Sequence, residues 1–300
     1  MGSVMLRAMS RKPTVAIAGA GNLGTALALS LKKAGYEIEA IVARKHRRSL
    51  VRVRQLARRV GARVVDDGQG LRSRVLWLCV PDTEMASASA ALAKSFDGTG
   101  KIALHSSGAL TSDELHALRK AGASVASVHP LMTFVKGSRP SLKNVPFAIE
   151  GDAAAVRTAR TVVSDLGGKA YAIRKKDKAA YHAWGTFASP LLTALLATTE
   201  EMATLAGVER NEARRRMLPI LWQTIENYGL RGGARGFSGP IIRGDVETVR
   251  RHLDVLRQIP IAQEVYIALA RAALAYLPAK NKEALRDLLV RKESHGSSWT

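Results

Sequence analysis

The side chains of this chain that could move a proton follow short apolar segments. His105 precedes Ser106 and Ser107, and His129 stands directly before Pro130. Histidine accepts or donates a proton near neutral pH, which suits it to general acid–base catalysis. His129 is the first candidate because it ends a predicted strand, and Ser106 or Ser107 could orient its ring. The alternative is a structural histidine that is hydrogen-bonded within a strand-to-loop turn.

A second set of polar side chains stands in an alanine-rich segment that is predicted to be helical. Tyr181 and His182 are adjacent there, and Lys178 precedes them by about one helical turn. Tyr181 is a candidate for substrate binding, whereas His182 is either catalytic or a packed residue between domains. The candidates for catalysis are His129, Ser107, Ser106, His105 and His182.

The segment SGPIIRGD, residues 238–245, supplies one further candidate. Arg243 could clamp a carboxylate or phosphate of the substrate through a pair of hydrogen bonds. A salt bridge within the loop is an equally good interpretation, and Asp245 is predicted to cap the next helix. The single cysteine and the scattered histidines lack the spacing of metal ligands, so no metal site is predicted.

The sequence PTVAIAGAGNLG, residues 13–24, predicts a phosphate-binding turn between a strand and a helix. Its first glycine allows a tight turn, its second lets a pyrophosphate approach, and its third lets the helix pack closely on the strand. The first N–H groups of the helix would then face the phosphates. A tight turn without a ligand is the alternative. The cofactor contacts predicted from this motif are Gly19, Gly21, Asn22, Leu23 and Gly24.

A basic segment at the end of the second predicted strand indicates which dinucleotide is bound. An NAD site has Asp or Glu there, about 20 residues after the glycines. This chain has Arg44 and Lys45 instead, and Glu37 and Glu39 come too early, within the strand. Because a guanidinium binds the ribose phosphate that a carboxylate would repel, we expect NADP. The following helix has further arginines that we expect to be solvated: Arg54, Arg58 and Arg59.

The order of apolar segments predicts an α/β fold. Residues 13–174 are expected to form a Rossmann-like, doubly wound, mostly parallel sheet, and residues 175–292 an all-helical domain. Ligands of such sheets bind beyond the carboxyl ends of the strands, so Val80 and Pro81 join the predicted cofactor contacts. Pro190 lies inside a long helical run and predicts a bend.

Composition excludes several other classes of protein. The net charge is +21, but the basic residues are dispersed and aromatic residues make up only 5%, so no specific nucleic-acid binding is expected. One cysteine suits a reducing, cytoplasmic environment. No apolar run reaches the roughly 18 residues of a membrane span.

Several motifs together resemble one bacterial family. They are GAGNLG at 19–24, VPD at 80–82, HSSGAL at 105–110, HPLMTF at 129–134, YHAWGTFAS at 181–189 and GPIIRGD at 239–245. The family joins an N-terminal Rossmann-like domain to a C-terminal helical domain of unknown function, and its members are described as NADP-dependent oxidoreductases. More distantly, the chain is similar to pyrroline-5-carboxylate reductase, ketopantoate reductase, 6-phosphogluconate dehydrogenase and prephenate dehydrogenase. The resemblance implies a homodimer built through the helical domain and a cleft between the domains.

The His-Pro pair is similar to one in prephenate dehydrogenases, where the histidine is catalytic and a serine one strand earlier orients it. This resemblance supports His129 with Ser106 or Ser107 in those roles. A lysine closely follows that serine in prephenate dehydrogenases, whereas Gly108 follows Ser107 here, so prephenate is not the expected substrate. Pro190 stands where the nearer family commonly has asparagine.

Together these features predict an NADP(H)-dependent oxidoreductase. Its substrate would be a small anionic keto, hydroxy or imino acid, with His129 moving the proton and Arg243 anchoring the substrate. The alternative is a sensor or scaffold protein that binds NADP(H) without turnover.

Overall fold

The computed structural model describes residues 12–43, 47–66, 69–138 and 140–291. These form two compact units, one that ends at Ser189 and one that begins at Pro190. The domain boundary predicted at residues 174 and 175 falls inside the first unit.

The first unit is built on an eight-stranded sheet. Its strands are β1 (Val15–Ala18), β2 (Ile38–Ala43), β3 (Arg63–Asp66), β4 (Val75–Leu78), β5 (Ile102–His105), β6 (Ser124–Pro130), β7 (Pro146–Gly151) and β8 (Lys169–Ala172). Their spatial order is β3-β2-β1-β4-β5-β6-β7-β8. Only the β6–β7 pair is antiparallel among these strands, which confirms the predicted mostly parallel, Rossmann-like sheet.

Helices cover both faces of this sheet. They are α1 (Asn22–Lys33), α2 (Arg47–Val60), α3 (Met85–Ala93), α4 (His116–Lys120) and α5 (Ala153–Asp165). The unit also contains α6 (Lys178–Thr186) and 3₁₀ turns at Asp82–Glu84, Ser112–Leu115 and Lys175–Asp177. Alternate strand residues enter opposite apolar layers, as the two-residue period of a strand requires. Val15 and Ile17 pack in the layer of α1, α2 and α5, whereas Ala16 and Ala18 pack in the layer of α3 and α4.

The carboxyl ends of β1 and β4 mark the point where the strand order reverses. β2 and β3 extend the sheet on one side of β1, and β4 to β8 extend it on the other. The N–H of Cys79 donates to the carbonyl of Ala18 at 2.7 Å, which holds the two strand ends together. A crevice at this reversal is where ligands of open parallel sheets bind.

The second unit contains only helices among its described residues, as predicted. They are α7 (Leu192–Leu205), α8 (Arg210–Gly236), α9 (Pro240–Arg243), α10 (Val246–Leu256), α11 (Pro260–Tyr276) and α12 (Lys282–Arg291). Its apolar core joins α10, α11 and α12. The glycine-rich sequence that begins at residue 229 favours a loop, but α8 continues to Gly236. The break comes instead at Gly232, whose φ of 71° interrupts the helix.

Pro190 disturbs the helix in which it lies. The five residues Phe187–Leu191 form a π-helical turn between α6 and α7. Proline has no N–H to donate, and its ring clashes with the carbonyl of the preceding turn, so a wider turn accommodates it. The predicted bend is therefore realised as a local widening of the helix.

No single helix in the described part of the chain is long and apolar enough to cross a membrane. One bent pair, Lys175–Leu205 with Arg210–Arg243, passes the same test of length and composition when its two members are taken together.

Candidate active site

The three glycines after β1 have different surroundings. A Cβ on Gly19 would lie 2.4 Å from the carbonyl oxygen of Cys79, and one on Gly24 would lie 2.0 Å from the carbonyl oxygen of Gly19. Both positions therefore require glycine for packing. A Cβ on Gly21 would meet nothing within 4 Å. The middle glycine thus leaves open space at the start of α1, where the sequence predicts a pyrophosphate.

The start of α1 is suited to an anion. The helix has no side-chain cap at Gly21 and no acidic residue in its first turn. The N–H groups of Asn22, Leu23 and Gly24 have no acceptor within the helix, as at every helix N-terminus. The Asn22 side chain donates to the carbonyl of Phe134 at 3.1 Å, which ties this turn to the chain after β6. These residues fit the phosphates of a dinucleotide.

A basic cavity of about 700 Å³ adjoins this turn. Its lining joins the first turn of α1 to one face of α2 and to residues 135–138. No carboxylate is among the described residues that line it. The cationic lining residues are Arg52, Arg58, Arg59 and Lys136. Arg58 and Arg59 are exposed, as expected, and they also line this cavity, whereas Arg54 is exposed outside the lining.

The carboxylate nearest in sequence to the tip of β2 is already engaged. Both oxygens of Glu39 accept hydrogen bonds, from the guanidinium of Arg63 at 2.6 Å and from the N–H of Arg72 at 3.0 and 3.1 Å. Burial would raise the pKa of Glu39, but these hydrogen bonds outweigh it and the pKa is lowered. They also occupy the carboxylate that could otherwise bind a ribose hydroxyl. Arg44 and Lys45, the predicted contacts of the ribose phosphate, lie outside the described residues.

His129 is held at the end of β6 by a residue of α6. Its Nδ1 lies 2.7 Å from the hydroxyl of Tyr181, and the two rings meet edge to face with centroids 5.4 Å apart. Burial raises the pKa of Tyr181, so the tyrosine keeps its proton. When the hydroxyl oxygen of Tyr181 accepts a hydrogen bond from Nδ1–H, neutral His129 has its lone pair on Nε2 and can accept a proton there. The hydroxyl of Tyr181 therefore takes the orienting role that the sequence assigned to Ser106 or Ser107.

Gly108 lies against two imidazole rings. A Cβ on this residue would be 2.8 Å from Nε2 of His129 and 2.7 Å from Cδ2 of His182. The ring centroids of His129 and His182 are 6.4 Å apart. The structure thus brings together both predicted histidines and adds Gly108, which sequence reasoning treated only as a departure from a related family. The absence of a side chain here is what gives Nε2 its space.

The two serines after β5 point to different partners. Ser106 accepts a hydrogen bond from the indole N–H of Trp77 at 2.8 Å. The hydroxyl of Ser107 donates to Asp82 at 2.9 Å and accepts from the N–H of Leu110, also at 2.9 Å. Neither hydroxyl contacts His129. Both instead fix the turn of residues 106–110, which we call the β5 turn.

His105 is buried beneath the β5 turn and stabilises it through hydrogen bonds. It is fully buried, its Nδ1 accepts from the N–H of Ser107 at 3.1 Å, and its Nε2 donates to the carbonyl of Thr111 at 3.0 Å. Burial, with a smaller effect from the charge of Lys178, lowers its pKa to about 4. Because both ring nitrogens are engaged, His105 has no lone pair or proton left for a substrate, and we do not retain it as a catalytic candidate.

His129 is neutral near pH 7. Its pKa is lowered to about 4, first by burial, then by the charge of Lys178 and by His182. A neutral imidazole can accept a proton from a hydroxyl or an ammonium of a substrate. An anion bound beside it would raise the pKa again, since opposite charges favour the protonated ring.

The other predicted site residues are placed as follows. Val80 is half-buried and Pro81 exposed, directly after β4. Arg243 ends α9 in the second unit, and its assignment as a substrate contact stays a prediction. Asp245 caps α10 as predicted, since its carboxylate accepts from the N–H of Thr248 at 3.0 Å. No cluster of three or more potential metal ligands is present in the described ranges.

Two sequence profiles match this chain. Residues 6–130 match a Rossmann-like domain, and residues 145–273 match a domain of unknown function, DUF2520. The chain therefore pairs a Rossmann-like domain with a DUF2520 domain, which confirms the resemblance inferred from its motifs. Among curated proteins, none matches it.

Three solved structures illustrate the likeness of fold. A protein from Bacteroides fragilis, described provisionally as an NADP oxidoreductase, is 21% identical at a TM-score of 0.72, over 87% of this chain and 98% of that one. An imine reductase from Myxococcus stipitatus in complex with NADP+ is 17% identical at 0.63, over 93% and 99%. A pyrroline-5-carboxylate reductase from Coxiella burnetii is 14% identical at 0.56, over 96% and 100%. At these identities the likeness shows a shared fold.

The buried, neutral His105 makes the protein sensitive to acid. Its folded-state pKa of about 4 lies below its ordinary value of 6.5. Its contribution to stability is therefore present above pH 6.5 and is lost as the pH falls towards 4, by about 3 kcal/mol. Protonation would also break the hydrogen bond that Nδ1 accepts. We expect His105→Gln to reduce the proton uptake on unfolding in this window by about one proton.

Chemical denaturation at several pH values measures this uptake. His116→Gln, at an exposed histidine, is the matched control and should leave the slope unchanged. A His105→Gln variant with the full acid-dependent loss of the parent would contradict the assignment.

Proposed function

From a Rossmann-like domain joined to a DUF2520 domain, we propose an NADP(H)-dependent oxidoreductase that acts on a small anionic keto, hydroxy or imino acid. One observation carries the proposal. The open phosphate turn at the start of α1 and the His129–Tyr181 pair both stand at the carboxyl edge of the same sheet. Since β1, β4, β5 and β6 are parallel, their ends meet at this edge.

The phosphate-binding role belongs to residues of the first turn. The backbone N–H groups of Asn22, Leu23 and Gly24 would hold the pyrophosphate, and Gly21 gives it room to approach. When bound, the nicotinamide group supplies or accepts the hydride. Val80 and Pro81 would line the same crevice, because they follow the strand next to β1.

The preference for NADP over NAD is supported by charge. The basic cavity beside the phosphate turn has Arg52, Arg59 and Lys136 in its lining. A phosphate on the ribose adds charge that guanidinium groups bind well, in pairs of parallel hydrogen bonds. Arg44 and Lys45, at the tip of β2 by sequence, would add to this preference.

The proton-transfer role belongs to His129. Tyr181 fixes its ring through Nδ1, so Nε2 is the nitrogen that exchanges a proton with the substrate. In the oxidative direction, neutral His129 accepts the proton of a hydroxyl or ammonium. In the reductive direction it must first be protonated, which a substrate carboxylate beside it would favour. This requirement is the reason that we propose an anionic substrate.

The substrate class also agrees with the proteins that share the fold. Two of them are named as reductases of imines or of pyrroline-5-carboxylate, and pyrroline-5-carboxylate is a cyclic imino acid. A carbonyl or imine carbon is the kind of centre that takes a hydride while a neighbouring acid supplies the proton.

We further propose that the protein forms a homodimer through its second unit. α8 has 27 residues, and Ala213 is its single buried residue. Leu218, Trp222 and Ile225 follow one another at spacings of four and three, so they form one apolar stripe on the helix. Trp222 is 66% exposed. A second copy of the chain could cover this stripe symmetrically.

The coenzyme preference is the first test of this function. Calorimetric titration should show NADPH binding at least about tenfold tighter than NADH, a difference of about 1.4 kcal/mol. In Arg52→Gln/Arg59→Gln we expect this preference to fall several-fold, because two cations that line the cavity are lost. Arg54→Gln, on the same helix but outside the lining, is the matched control.

Equal affinity for both coenzymes would contradict the preference. Absence of binding to either coenzyme by folded protein would overturn the function as a whole. Tight NADPH binding without turnover of any keto, hydroxy or imino acid would favour the sensor instead.

The second test concerns proton transfer. His129→Asn should lower kcat by about 10²- to 10⁴-fold with a substrate found by screening keto acids with and without amines. The Kd of NADPH should stay the same, since His129 is not among the phosphate-binding residues. Tyr181→Phe should cost less, because the ring is retained and only its orientation loosens. Unchanged turnover in His129→Asn would remove His129 from the mechanism.

The third test concerns the dimer. Light scattering should give twice the chain mass for the parent protein. Trp222→Glu/Ile225→Glu should give a folded monomer, since two like charges would face each other across a symmetric interface. Gln223→Glu, an exposed neighbour on the same helix, is the control and should stay dimeric. A monomeric parent, or a double variant that remains dimeric, would contradict the interface.

A further inference from the structure

Lys178 is a buried lysine at the start of α6. Its side chain is fully enclosed, with 1% of the residue exposed. The ammonium donates to the carbonyl of Ser107 at 2.8 Å and to the hydroxyl of Ser127 at 2.6 Å. It forms no ion pair with any described residue. Burying an ammonium costs free energy unless its hydrogen bonds are satisfied, so this position needs a reason beyond packing.

The contacts of Lys178 connect it to the candidate active site. The carbonyl that it binds belongs to the peptide between Ser107 and Gly108, and Gly108 lies against both His129 and His182. A small shift of this peptide would push the backbone into Nε2 or withdraw it. The ammonium therefore holds in place the backbone peptide that contacts the two imidazole rings.

Lys178 also fixes α6 itself. Tyr181 and His182 follow Lys178 by three and four residues, so all three side chains lie on one side of the helix. Lys178 ties the first turn of α6 to the ends of β5 and β6 through Ser107 and Ser127. The same helix carries Tyr181, whose hydroxyl lies 2.7 Å from Nδ1 of His129.

The charges around Lys178 come from four elements. Asp82 faces it from the 3₁₀ turn after β4, Glu150 from β7, His105 from β5 and His129 from β6. Neither carboxylate forms a salt bridge with Lys178: Asp82 accepts from Ser107, and Glu150 accepts from both the N–H and the hydroxyl of Ser112. Burial lowers the pKa of Lys178 to about 8, against the opposing effect of the two acids.

We propose that Lys178 is a positioning residue for His129: its ammonium anchors the β5 turn and α6 around the ring, and its positive charge lies on the Ser107–Gly108 peptide that faces the ring. The role rests on the proposed function, in which His129 exchanges the proton. A lysine that served stability alone would hold the same contacts but would leave the protonation of His129 to burial. The titration of His129 separates the two roles.

NMR of the apo-protein, with histidine labelled at Cε1, measures this titration without coenzyme or substrate. His129→Asn assigns the signal. In Lys178→Met, which keeps the length and removes the charge, the midpoint of His129 should rise by about one pH unit. Lys178→Arg keeps the charge, so the midpoint should stay low. Lys176→Met removes an exposed lysine two residues away and is the matched control, with no shift expected.

The outcomes separate this inference from the function itself. An unchanged midpoint in folded Lys178→Met, or the same shift in Lys176→Met, would overturn the positioning role even where NADPH binds tightly. A rise in Lys178→Met alone would support the role even where no substrate is found. Where Lys178→Met does not fold, Lys178→Gln takes its place, and a parent midpoint at or above about 6.5 would itself contradict the proposal.

With a substrate in hand, kinetics give a second measurement. Lys178→Met should lower kcat more than it raises KM, because Lys178 is proposed to act on His129 and not on the binding of coenzyme or substrate. The limb of the kcat/KM profile that reports His129 should move to higher pH by the same amount as the NMR midpoint.

Discussion

The close contact of a peptide backbone with two imidazole rings is the constraint on which this site depends. Gly108 has no room for a Cβ beside His129 and His182. The β5 turn therefore has to be held without any side chain at its centre. Its neighbours supply the restraint from three directions: His105 from within, Asp82 through Ser107, and Lys178 through the Ser107 carbonyl. All three restraints act on the peptide beside Nε2 of His129, although none of them touches that nitrogen.

Burial gives the same site its electrostatic character. His105, His129 and Lys178 all lose water on folding, and the pKa of each is lowered. The site therefore resists positive charge, and neutral His129 is ready to accept a proton. In the proposed function, reduction of the substrate needs a protonated ring, which the surrounding protein disfavours. A negative charge brought by the ligand corrects this imbalance, so binding of an anion and protonation of His129 favour each other.

The strands, the phosphate turn and the helical second unit could be predicted from the sequence, because each depends on local periodicity and on glycines in a fixed spacing. The partners of the polar residues at the strand ends could not. Successive residues point in opposite directions, so Ser106 reaches Trp77 while Ser107 reaches Asp82. The choice of Tyr181 as the partner of His129 depends on how α6 packs across the strand ends. No spacing in the sequence encodes that packing, since 52 residues separate the two side chains.

The large positive charge of the chain is used differently in its two units. On α8 of the second unit, Arg214 pairs with Glu200 and Arg216 with Glu212 across exposed surface. Such pairs contribute little to stability and largely cancel in their effect on distant ions. Arg52, Arg58 and Arg59 of α2 have no ion pair with any described residue, and all three line the cavity beside the phosphate turn. Unpaired cations that converge on one cavity attract anions and hold them there. The unpaired part of the positive charge on α2 therefore lies next to the free N–H groups of α1, where both would attract the same anion.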